Sequence, residues 1–473
     1  MAPLNRFLCG AAVAGLIAGT GSVVGAQAGL SALSADWLLA AEHVLLIGTD
    51  GTNLDKILEY AYNDDSGFKT LMDRGVTAAT SVIGHQAMST PEWTTILTGV
   101  WDDKHGVVSN LYRPEPYTAW PSVFNLIEYY KSEVDTTVVS PVGLFTELGA
   151  IGGYPVDNII GITGGSNFAE VDALVTDATV AKILATMDNP DISTFMFSYQ
   201  SQVDNAGHTF GGGSQEYAQG VINVGANLQQ IMTAVAQAEA ATGDRWTIIA
   251  VTDHGHMQTP TLPGFSFGHG FQSPNETSSF VMFSLAGNEA QAGGQSLGYS
   301  LVDITPTILQ AFGIPMRSDF DGAPMQTDPA LLNSVVMPVD LKQGLTDAIN
   351  SYGYPNIGTE IMLSLRSLAG GVGYVIQNYL VGPVDNYLQT LIDQDIFGIS
   401  LLAEGAQWVV RTVGGAVVDV TDQLGRAIGY LTGAGVIEPM DAPLPLPGSA
   451  EFSIPDFHAS DLPLALDVDA LVG

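Results

Sequence analysis

Seven side chains in this sequence have the types and spacing expected of a catalytic site. They are Asp50, Ser89, Asp204, His208, Asp253, His254 and His269. Taken singly, each has an ordinary structural explanation; Ser89 with Glu92, for example, has the spacing of a capping box at a helix start. Together, three carboxylates, three imidazoles and a hydroxyl supply about the seven side-chain ligands that two zinc ions need. Imidazole combined with carboxylate favours zinc over magnesium or calcium, which prefer oxygen alone.

The charges of such a site would balance. Two zinc ions carry four positive charges, and three aspartates with a deprotonated Ser89 carry four negative ones. A metal-bound serine loses its proton near neutral pH for the reason that metal-bound water does. The helix predicted from Pro91 toward Thr98 would also point its positive end at a phosphoryl group beside Ser89. The pattern predicts a nucleophilic serine between two zinc ions.

The segments that must position these side chains alternate between short apolar runs and amphipathic ones. We predict strands, buried on both faces, at 43–47, 194–197, 246–251 and 280–283. Residues 170–187 and 216–241 have apolar positions at helical spacing, and 300–315 is predicted as the last helix of the domain. This alternation indicates an α/β fold with a mostly parallel central sheet flanked by helices. Three strands are followed at once by polar residues, where sites form in such sheets.

The ends of the chain differ in character from this core. Arg6 precedes an apolar run, and Ala26-Gln27-Ala28 resembles a cleavage site, so residues 1–28 are a predicted signal peptide and the protein is predicted to be secreted or in the cell envelope. The single cysteine, Cys9, lies in that segment, so the mature chain would hold no disulfide.

We predict a catalytic domain at 43–329 and a C-terminal helical region at 330–437, poor in charge, which packs on the main domain or associates with the cell envelope. Residues 438–473 are rich in proline and acidic side chains and are predicted to be disordered. The uncharged span 367–383 contains several glycines together with Gln377 and Asn378, which disfavours a transmembrane helix.

The charge balance limits the partners. The chain has 14 Lys and Arg against 49 Asp and Glu, a formal net charge of −35. Such a field repels the phosphate backbone of nucleic acids, so we expect a small phosphodiester substrate and no nucleic-acid partner.

The candidate residues lie in ordered motifs. The motifs are Ile47-Gly48-Thr49-Asp50-Gly51, the segment from Ser89 to Gly99, the segment from His105 to Asn110, Asp204-x-x-x-His208, Thr252-Asp253-His254-Gly255, His269-Gly270 and the segment from Val302 to Thr307. The set resembles the alkaline phosphatase superfamily and, within it, the type I phosphodiesterase/nucleotide pyrophosphatase branch, over residues 44–315. The resemblance implies an alkaline-phosphatase-like core with a C-terminal helical region beyond it.

The resemblance also implies roles. One zinc would be held by Asp50, Asp253 and His254, and the other by Asp204, His208 and His269. Ser89 would bridge the metals and attack phosphorus, forming a phosphoseryl intermediate that water hydrolyses. Asn110 would donate a hydrogen bond to a non-bridging phosphoryl oxygen. His269 is preferred to His458 as a ligand because it precedes an apolar strand.

Two departures bear on the reaction. The branch usually has threonine at the position of Ser89, and the residues that follow resemble the sulfatase signature except that Trp93 replaces its arginine. Sulfatases hold a single calcium ion with more acidic ligands, so three histidines favour two zinc ions. A sulfatase, a phosphomonoesterase and a non-enzymatic envelope protein that retains the fold are the alternatives.

The scarcity of basic residues favours a diester substrate. No Lys or Arg lies between Lys131 and Lys182, and Arg113 and Lys104 are the only basic candidates near Asn110. A neutral site would leave two uncompensated charges on a monoester and one on a diester. We therefore expect a phosphodiesterase whose leaving group enters an apolar pocket, with the aromatic residues Trp93, Tyr112 and Phe145 as its candidate lining.

Overall fold

A computed structural model describes residues 42–151, 154–259, 268–285, 289–394, 396 and 398–438. The predicted signal peptide and residues 439–473 of the predicted tail lie outside these residues. The described chain contains a nine-stranded sheet. Its strands are β1 Glu42–Thr49, β2 Val76–Ser81, β3 Asp135–Ser140, β4 Asn158–Gly161, β5 Thr194–Gln200, β6 Arg245–Thr252, β7 Ser278–Ser284, β8 Gly294–Ser296 and β9 Val335–Val336.

The strands are ordered β4-β3-β5-β1-β6-β7-β2-β8-β9. The five strands β4, β3, β5, β1 and β6 run parallel to one another, which confirms the predicted mostly parallel sheet. Strand β7 is antiparallel to both of its neighbours, a detail that the apolar pattern did not predict. Parallel neighbours need a crossover, usually a helix, whereas the described residues between β6 and β7 form only loops and turns.

Strand β1 shows why the predicted strands are continuous apolar runs. Alternate side chains leave opposite faces of a strand, so Val44 and Leu46 enter one hydrophobic core while Leu45 and Ile47 enter the other. All four are fully buried. The central sheet is therefore covered by helices on both faces, as predicted.

Seventeen α-helices accompany the sheet in the described residues. They are α1 Leu54–Tyr60, α2 Gly67–Arg74, α3 Ser89–Thr98, α4 Asp102–His105, α5 Glu115–Ala119, α6 Val123–Tyr130, α7 Gly143–Ala150, α8 Phe168–Ala185, α9 Gln202–Phe210, α10 Gln215–Thr242, α11 Ile304–Ala311, α12 Pro329–Asn333, α13 Leu341–Asn350, α14 Ile357–Val375, α15 Gly382–Asp393, α16 Ile399–Val409 and α17 Gly415–Leu431.

Helices α8 and α10 confirm the helices predicted at 170–187 and 216–241. The helix predicted at 300–315 is shorter, because a 3-10 turn at Leu301–Asp303 precedes α11 and Gly313 follows it with a left-handed φ of 65°. Residues with that φ end helices, and glycine adopts it at little cost.

The predicted C-terminal helices are present and form a long antiparallel pair. Helix α14 packs on α17 and α15 packs on α16, with π-helical segments at Ile376–Val381 and Val410–Gly414. We call residues 357–431 the helical hairpin. Among the described residues, no helix is both long and apolar enough to span a membrane.

The start of α9 depends on one buried acid from α8. Asp172 is fully buried and accepts hydrogen bonds from Ser201 N at 2.8 Å, Ser201 Oγ at 3.1 Å and Gln202 N at 2.9 Å. These backbone groups are among the donors that a helix leaves unsatisfied at its first turn. Asp172 therefore fixes the orientation of the helix that carries Asp204 and His208.

We expect Asp172→Ala to lower the free energy of unfolding by about 2–3 kcal/mol, because it leaves buried donors without an acceptor. Thermal or urea unfolding measures this loss. The matched control is Asp177→Ala, an exposed aspartate on the same helix, which should change stability by less than about 0.5 kcal/mol. Equal stability of the two variants would show that Asp172 does not hold α9 in place.

Candidate active site

The candidate ligands meet at the carboxyl ends of three neighbouring strands. Asp50 directly follows β1, Asp253 directly follows β6, and Asp204 lies in the first turn of α9 after β5. Strands β5 and β6 flank β1 on either side, so the three carboxylates converge. Gly51 makes the convergence possible: its φ is 60°, and a Cβ there would lie 2.7 Å from Asp204 Oδ1.

The first group of ligands surrounds His254. Its Nε2 lies 3.2 Å from Asp253 Oδ2 and 3.8 Å from Asp50 Oδ1. Its Nδ1 lies 3.1 Å from the carbonyl oxygen of Gly255, to which a proton on Nδ1 can donate. That tautomer turns the lone pair of Nε2 toward the carboxylates, as a metal ligand requires.

Ser89 joins this group through its hydroxyl. Ser89 Oγ lies 3.2 Å from His254 Nε2. The interpretation of Ser89 as a capping residue is wrong, because Met88 precedes the helix and no side chain caps it. Ser89 is instead the first helical residue, which turns its hydroxyl toward the ligands, and Glu92 is fully buried within the fold.

The second group of ligands surrounds Asp204. His208 lies one turn further along α9, with its Nε2 3.4 Å from Asp204 Oδ2, and His269 Nε2 lies 3.8 Å from Asp204 Oδ1. The two imidazole Nε2 atoms are 3.2 Å apart. His269 Nδ1 lies 2.9 Å from the carbonyl oxygen of Ala87, which leaves Nε2 to face Asp204. The structure thus brings together all seven residues predicted from the sequence.

One histidine in this group was missed. His256 Nε2 lies 2.7 Å from Asp204 Oδ1, and the ligand atoms of Asp204, His208, His256 and His269 all lie within 4.8 Å of one another. Added Cβ atoms at Gly51, Gly207 and Gly268 would each come within 2.8 Å of its ring, so glycines create the space that His256 fills. The repeated Gly-His pairs at 255–256 and 268–269 were the available signal.

The pKa values of the carboxylates show where positive charge is needed. Burial raises the pKa of Asp50 well above its usual range, and Asp253 and Asp204 raise it further. Burial also raises the pKa of Asp253, with Asp204 adding to the rise. Burial alone would raise the pKa of Asp204 too, but His208 and the hydrogen bond with His256 hold it well below its usual range. Cations beside Asp50 and Asp253 would relieve this repulsion.

The histidines respond in the opposite direction. Burial lowers the pKa of His254 to about 3, although Asp204 opposes the change. Burial, followed by His254 and His208, lowers the pKa of His269 well below its usual range. These histidines are therefore neutral, which is the form that binds metal ions.

The residues present form clusters of carboxylates and imidazoles that could hold metal ions. Asp50 Oδ1 and Asp253 Oδ2 are buried and accept no hydrogen bond from the described residues. Tetrahedral zinc has bonds of about 2.0–2.2 Å to oxygen and nitrogen, so its ligand atoms lie roughly 3.3–3.5 Å apart. The separations of His254 Nε2 from Asp253 Oδ2, 3.2 Å, and of His208 Nε2 from Asp204 Oδ2, 3.4 Å, are close to that spacing. The separations of His254 from Asp50 and of His269 from Asp204, both 3.8 Å, are longer.

Asn110 and Trp93 complete the surroundings of the ligands. Asn110 Oδ1 accepts a hydrogen bond from Thr90 N at 3.0 Å, so its amide group lies beside the nucleophile and its NH₂ can donate to a bound oxygen. Trp93 Nε1 donates to Asp50 Oδ2 at 3.0 Å, and the Tyr199 hydroxyl donates to the same oxygen.

The prediction that three aromatic residues line an apolar pocket is wrong for two of them. Trp93 is fully buried, and Phe145 is buried against its edge with ring centroids 5.5 Å apart. Tyr112 is only partly buried and lies parallel to the ring of Tyr117. Trp93 therefore orients a ligand rather than lining a pocket.

The helical hairpin reaches the site. Gln86 lies in the loop that leads to Ser89, and its Nε2 donates a hydrogen bond of 3.1 Å to Ser367 Oγ of the hairpin. Arg366 Nη1 lies 3.2 Å from Asp102 Oδ2, and His85 Nδ1 lies 2.8 Å from the other oxygen of that carboxylate. Packing against the main domain, one of the two expectations for this region, is thus observed.

Part of the chain, including most of these site residues, is similar to a known protein family. The family model for type I phosphodiesterase/nucleotide pyrophosphatase matches residues 44–125 and 128–268. The predicted resemblance to the type I phosphodiesterase/nucleotide pyrophosphatase family is confirmed over these residues. No curated protein matches the chain in a sequence comparison.

Solved structures give distant similarities. A putative sulfatase from Bacteroides thetaiotaomicron is 13% identical, with a TM-score of 0.46 over 63% of this chain and 75% of that one. An alkaline phosphatase superfamily protein from Vibrio parahaemolyticus is 12% identical, with a TM-score of 0.44 over 61% and 70%. Murine ectonucleotide pyrophosphatase/phosphodiesterase 5 is 18% identical, with a TM-score of 0.36 over 45% and 57%.

The position of His256 yields a test of the second ligand group. We expect His256→Ala to weaken zinc binding by about 10–100-fold, the usual cost of losing a group that orients a metal-binding carboxylate. Competition with a chelator of known affinity measures this change. The control is His458→Ala, a histidine that we predict not to be a ligand. If both variants bind zinc as the unmodified protein does, the contact between His256 and Asp204 has no part in metal binding.

Proposed function

We propose that the protein is a two-zinc phosphodiesterase in which Ser89 is the nucleophile. The observation that carries this proposal is the convergence of Ser89 Oγ, at 3.2 Å from His254 Nε2, with a set of carboxylates and imidazoles. Neither a serine cap nor a packed core requires such a set, and the family match supports ester hydrolysis.

The two ligand groups would hold the zinc ions. Asp50, Asp253 and His254 would hold one ion with Ser89, and Asp204, His208 and His269 would hold the other, with His256 holding Asp204 in place. Bound zinc supplies positive charge that favours the deprotonated form of a serine hydroxyl and stabilises the oxygens of a reacting phosphoryl group.

The chain's own residues then perform a two-step displacement. Ser89 Oγ forms a bond to phosphorus while the bond from phosphorus to the leaving-group oxygen breaks, and the departing alcoholate takes a proton from solvent. Water then attacks the phosphoserine, and the released phosphate monoester leaves Ser89 unchanged. Asn110 donates to a non-bridging oxygen, and the free N–H groups at the start of α3 favour the negative charge beside them.

The preference for a diester is supported by the state of the two basic candidates. Arg113 forms an ion pair with Asp422 of α17, and Lys104 Nζ lies 2.6 Å from Asp321 Oδ1. Each positive charge is therefore neutralised by an acid of the protein. A singly charged diester suits this environment better than a doubly charged monoester.

The sulfatase alternative is less well supported. The position of the arginine in the sulfatase signature is occupied by Trp93, which is buried and donates to Asp50. Secretion through the predicted signal peptide, residues 1–28, is the cellular setting that we propose for the reaction.

The proposal is tested with p-nitrophenyl phosphate, its bis ester and p-nitrophenyl sulfate, together with analysis of bound metal. We expect two zinc ions per chain and the highest kcat/KM for the bis ester. Dominant turnover of the monoester would contradict the diester preference. A single calcium ion with sulfate turnover would assign the chain to the sulfatases instead.

We expect Ser89→Ala to reduce kcat by at least about a thousandfold, because the nucleophile is lost. The fold and at least one bound zinc should remain, as circular dichroism and metal analysis would show. Ser89→Thr is the matched variant: it keeps a hydroxyl and should keep substantial activity. Full activity of the alanine variant would refute the nucleophile assignment.

A second prediction concerns Arg113. Asp422→Asn removes the acid that neutralises Arg113. The ratio of monoester to diester kcat/KM should then rise several-fold, up to about tenfold, which corresponds to about 1.4 kcal/mol. Asp419→Asn, an exposed aspartate on the same helix, is the control and should leave the ratio unchanged. Equal ratios in both variants would show that Arg113 does not influence substrate charge preference.

A further inference from the structure

The helical hairpin exposes an apolar surface that the proposed reaction does not explain. We call ten of its side chains the outer stripe: Ile357, Ile361, Leu365, Leu368, Val372, Val413, Val417, Val420, Leu424 and Leu431. Each is at least 43% exposed, and Leu431 reaches 79%. Near the far end of the hairpin, Leu402 and Trp408 are 77% and 68% exposed. Contiguous apolar surface of this extent marks an interaction site on a soluble protein.

The polarity of the hairpin is the reverse of that expected for helices on a soluble domain. Its buried positions include charged and amide side chains, among them Arg366, Asp385, Gln407 and Asp422. Asp385 accepts from Arg411 Nε at 2.7 Å across the two helices. Arg366, Arg411 and two buried acids are thus paired inside the hairpin or against the catalytic domain, while many of its leucine, isoleucine and valine side chains face outward. Such a surface is stabilised when another apolar surface covers it.

The spacing of the outer stripe identifies the kind of surface that fits it. Across α17 and the π-helical segment before it, the stripe follows intervals of four, three and four residues from Val413 to Leu424. On α14 the intervals from Leu365 to Val372 are three and four. Alternating intervals of three and four are the pattern by which one helix packs into another.

Both helices present the stripe on the same side of the molecule. Gly370 of α14 rests on Ser109, where a Cβ would lie 2.8 Å from the serine Cβ. Gly429 of α17 rests on Val108, with a corresponding separation of 3.2 Å. The stripe lies on the faces opposite these contacts, about half a turn away at 3.6 residues per turn, so it points away from the catalytic domain on both helices.

We propose that a second copy of this chain covers the outer stripe, so that two hairpins form a four-helix arrangement. Two antiparallel helices with an apolar face are half of such a bundle, and a twofold axis lets one surface serve both subunits. A stable interface buries about 800 Å² on each partner, and more than ten large exposed side chains supply apolar area of that order.

The charges on the hairpin support a second copy over a lipid surface. The sequence of the hairpin contains no lysine, and two of its three arginines, Arg366 and Arg411, form ion pairs within the molecule. Helices that lie on membranes usually carry Lys and Arg on their polar face to meet anionic headgroups. The outer stripe carries no charge, so the same stripe on a second copy is a complementary surface for it. This inference does not depend on the proposed activity.

The experiment is a measurement of the mass of the full chain in solution by light scattering and sedimentation. We expect twice the chain mass of 49.6 kDa. Because each copy carries a net charge of −35, we also expect the dimer to tighten as the salt concentration rises.

Paired substitutions locate the interface. Leu368→Glu with Leu424→Glu should halve the mass, leave the circular dichroism unchanged and leave hydrolysis of a soluble ester at its original rate. Leu174→Glu, which alters an exposed leucine on α8, is the control and should stay dimeric. A dimer that survives the paired substitutions would place the interface elsewhere and overturn the proposal.

Two further outcomes would also overturn it. An unmodified protein that stays monomeric and binds phosphatidylcholine vesicles through the stripe would make the partner a lipid surface. A monomer that becomes dimeric only when residues 439–473 are removed would make that segment the natural cover of the stripe. If the unmodified protein does not hydrolyse esters, the proposed function is contradicted. The mass measurement is unaffected by that outcome and tests the dimer separately.

Discussion

The structure depends on the mutual repulsion of three carboxylates, two of them fully buried at the ends of β1 and β6 and the third in the first turn of α9. Asp50, Asp204 and Asp253 are held close together by the parallel pairing of these strands, and burial removes the water that would otherwise screen them. The fold tolerates this arrangement because imidazoles and backbone donors surround it: Gly51 N donates to Asp253 Oδ1 at 3.1 Å, and His256 contacts Asp204 at 2.7 Å. The remaining deficit of positive charge is the physical basis for proposing metal ions.

Much of this arrangement could be predicted from the sequence because it depends on local patterns. Apolar runs such as 43–47 predict strands buried on both faces, and a polar residue directly after each run lies at the carboxyl edge whatever the order of the strands. These inferences need only the chain direction and the period of the element, which explains their agreement with the structure. Helix α9, on which Asp204 and His208 lie one turn apart, was not predicted, although the interval of four residues fits one face of a helix.

The features that were missed depend on contacts between distant segments. Trp93 appeared suited to a pocket, and only the packing of α3 on β1 shows that its ring is buried with Nε1 directed at Asp50. His256 was not among the predicted ligands, because the glycines that enclose it are spread from Gly51 to Gly268. The capping interpretation of Ser89 failed for a similar reason, since the Ser89 hydroxyl lies beside His254, which follows β6 more than 160 residues later in the chain. No local pattern contains this information.

The helical hairpin connects the two proposals through its reversed polarity. Several of its charged and small residues face inward and contact the catalytic domain: Ser367 meets the loop before Ser89, Asp422 neutralises Arg113, and Gly370 lies against Ser109. The same distribution necessarily leaves apolar residues on the outer face. The proposed substrate charge preference and the proposed association of subunits therefore have one origin. The hairpin directs polar side chains toward the catalytic domain and apolar side chains toward its outer surface.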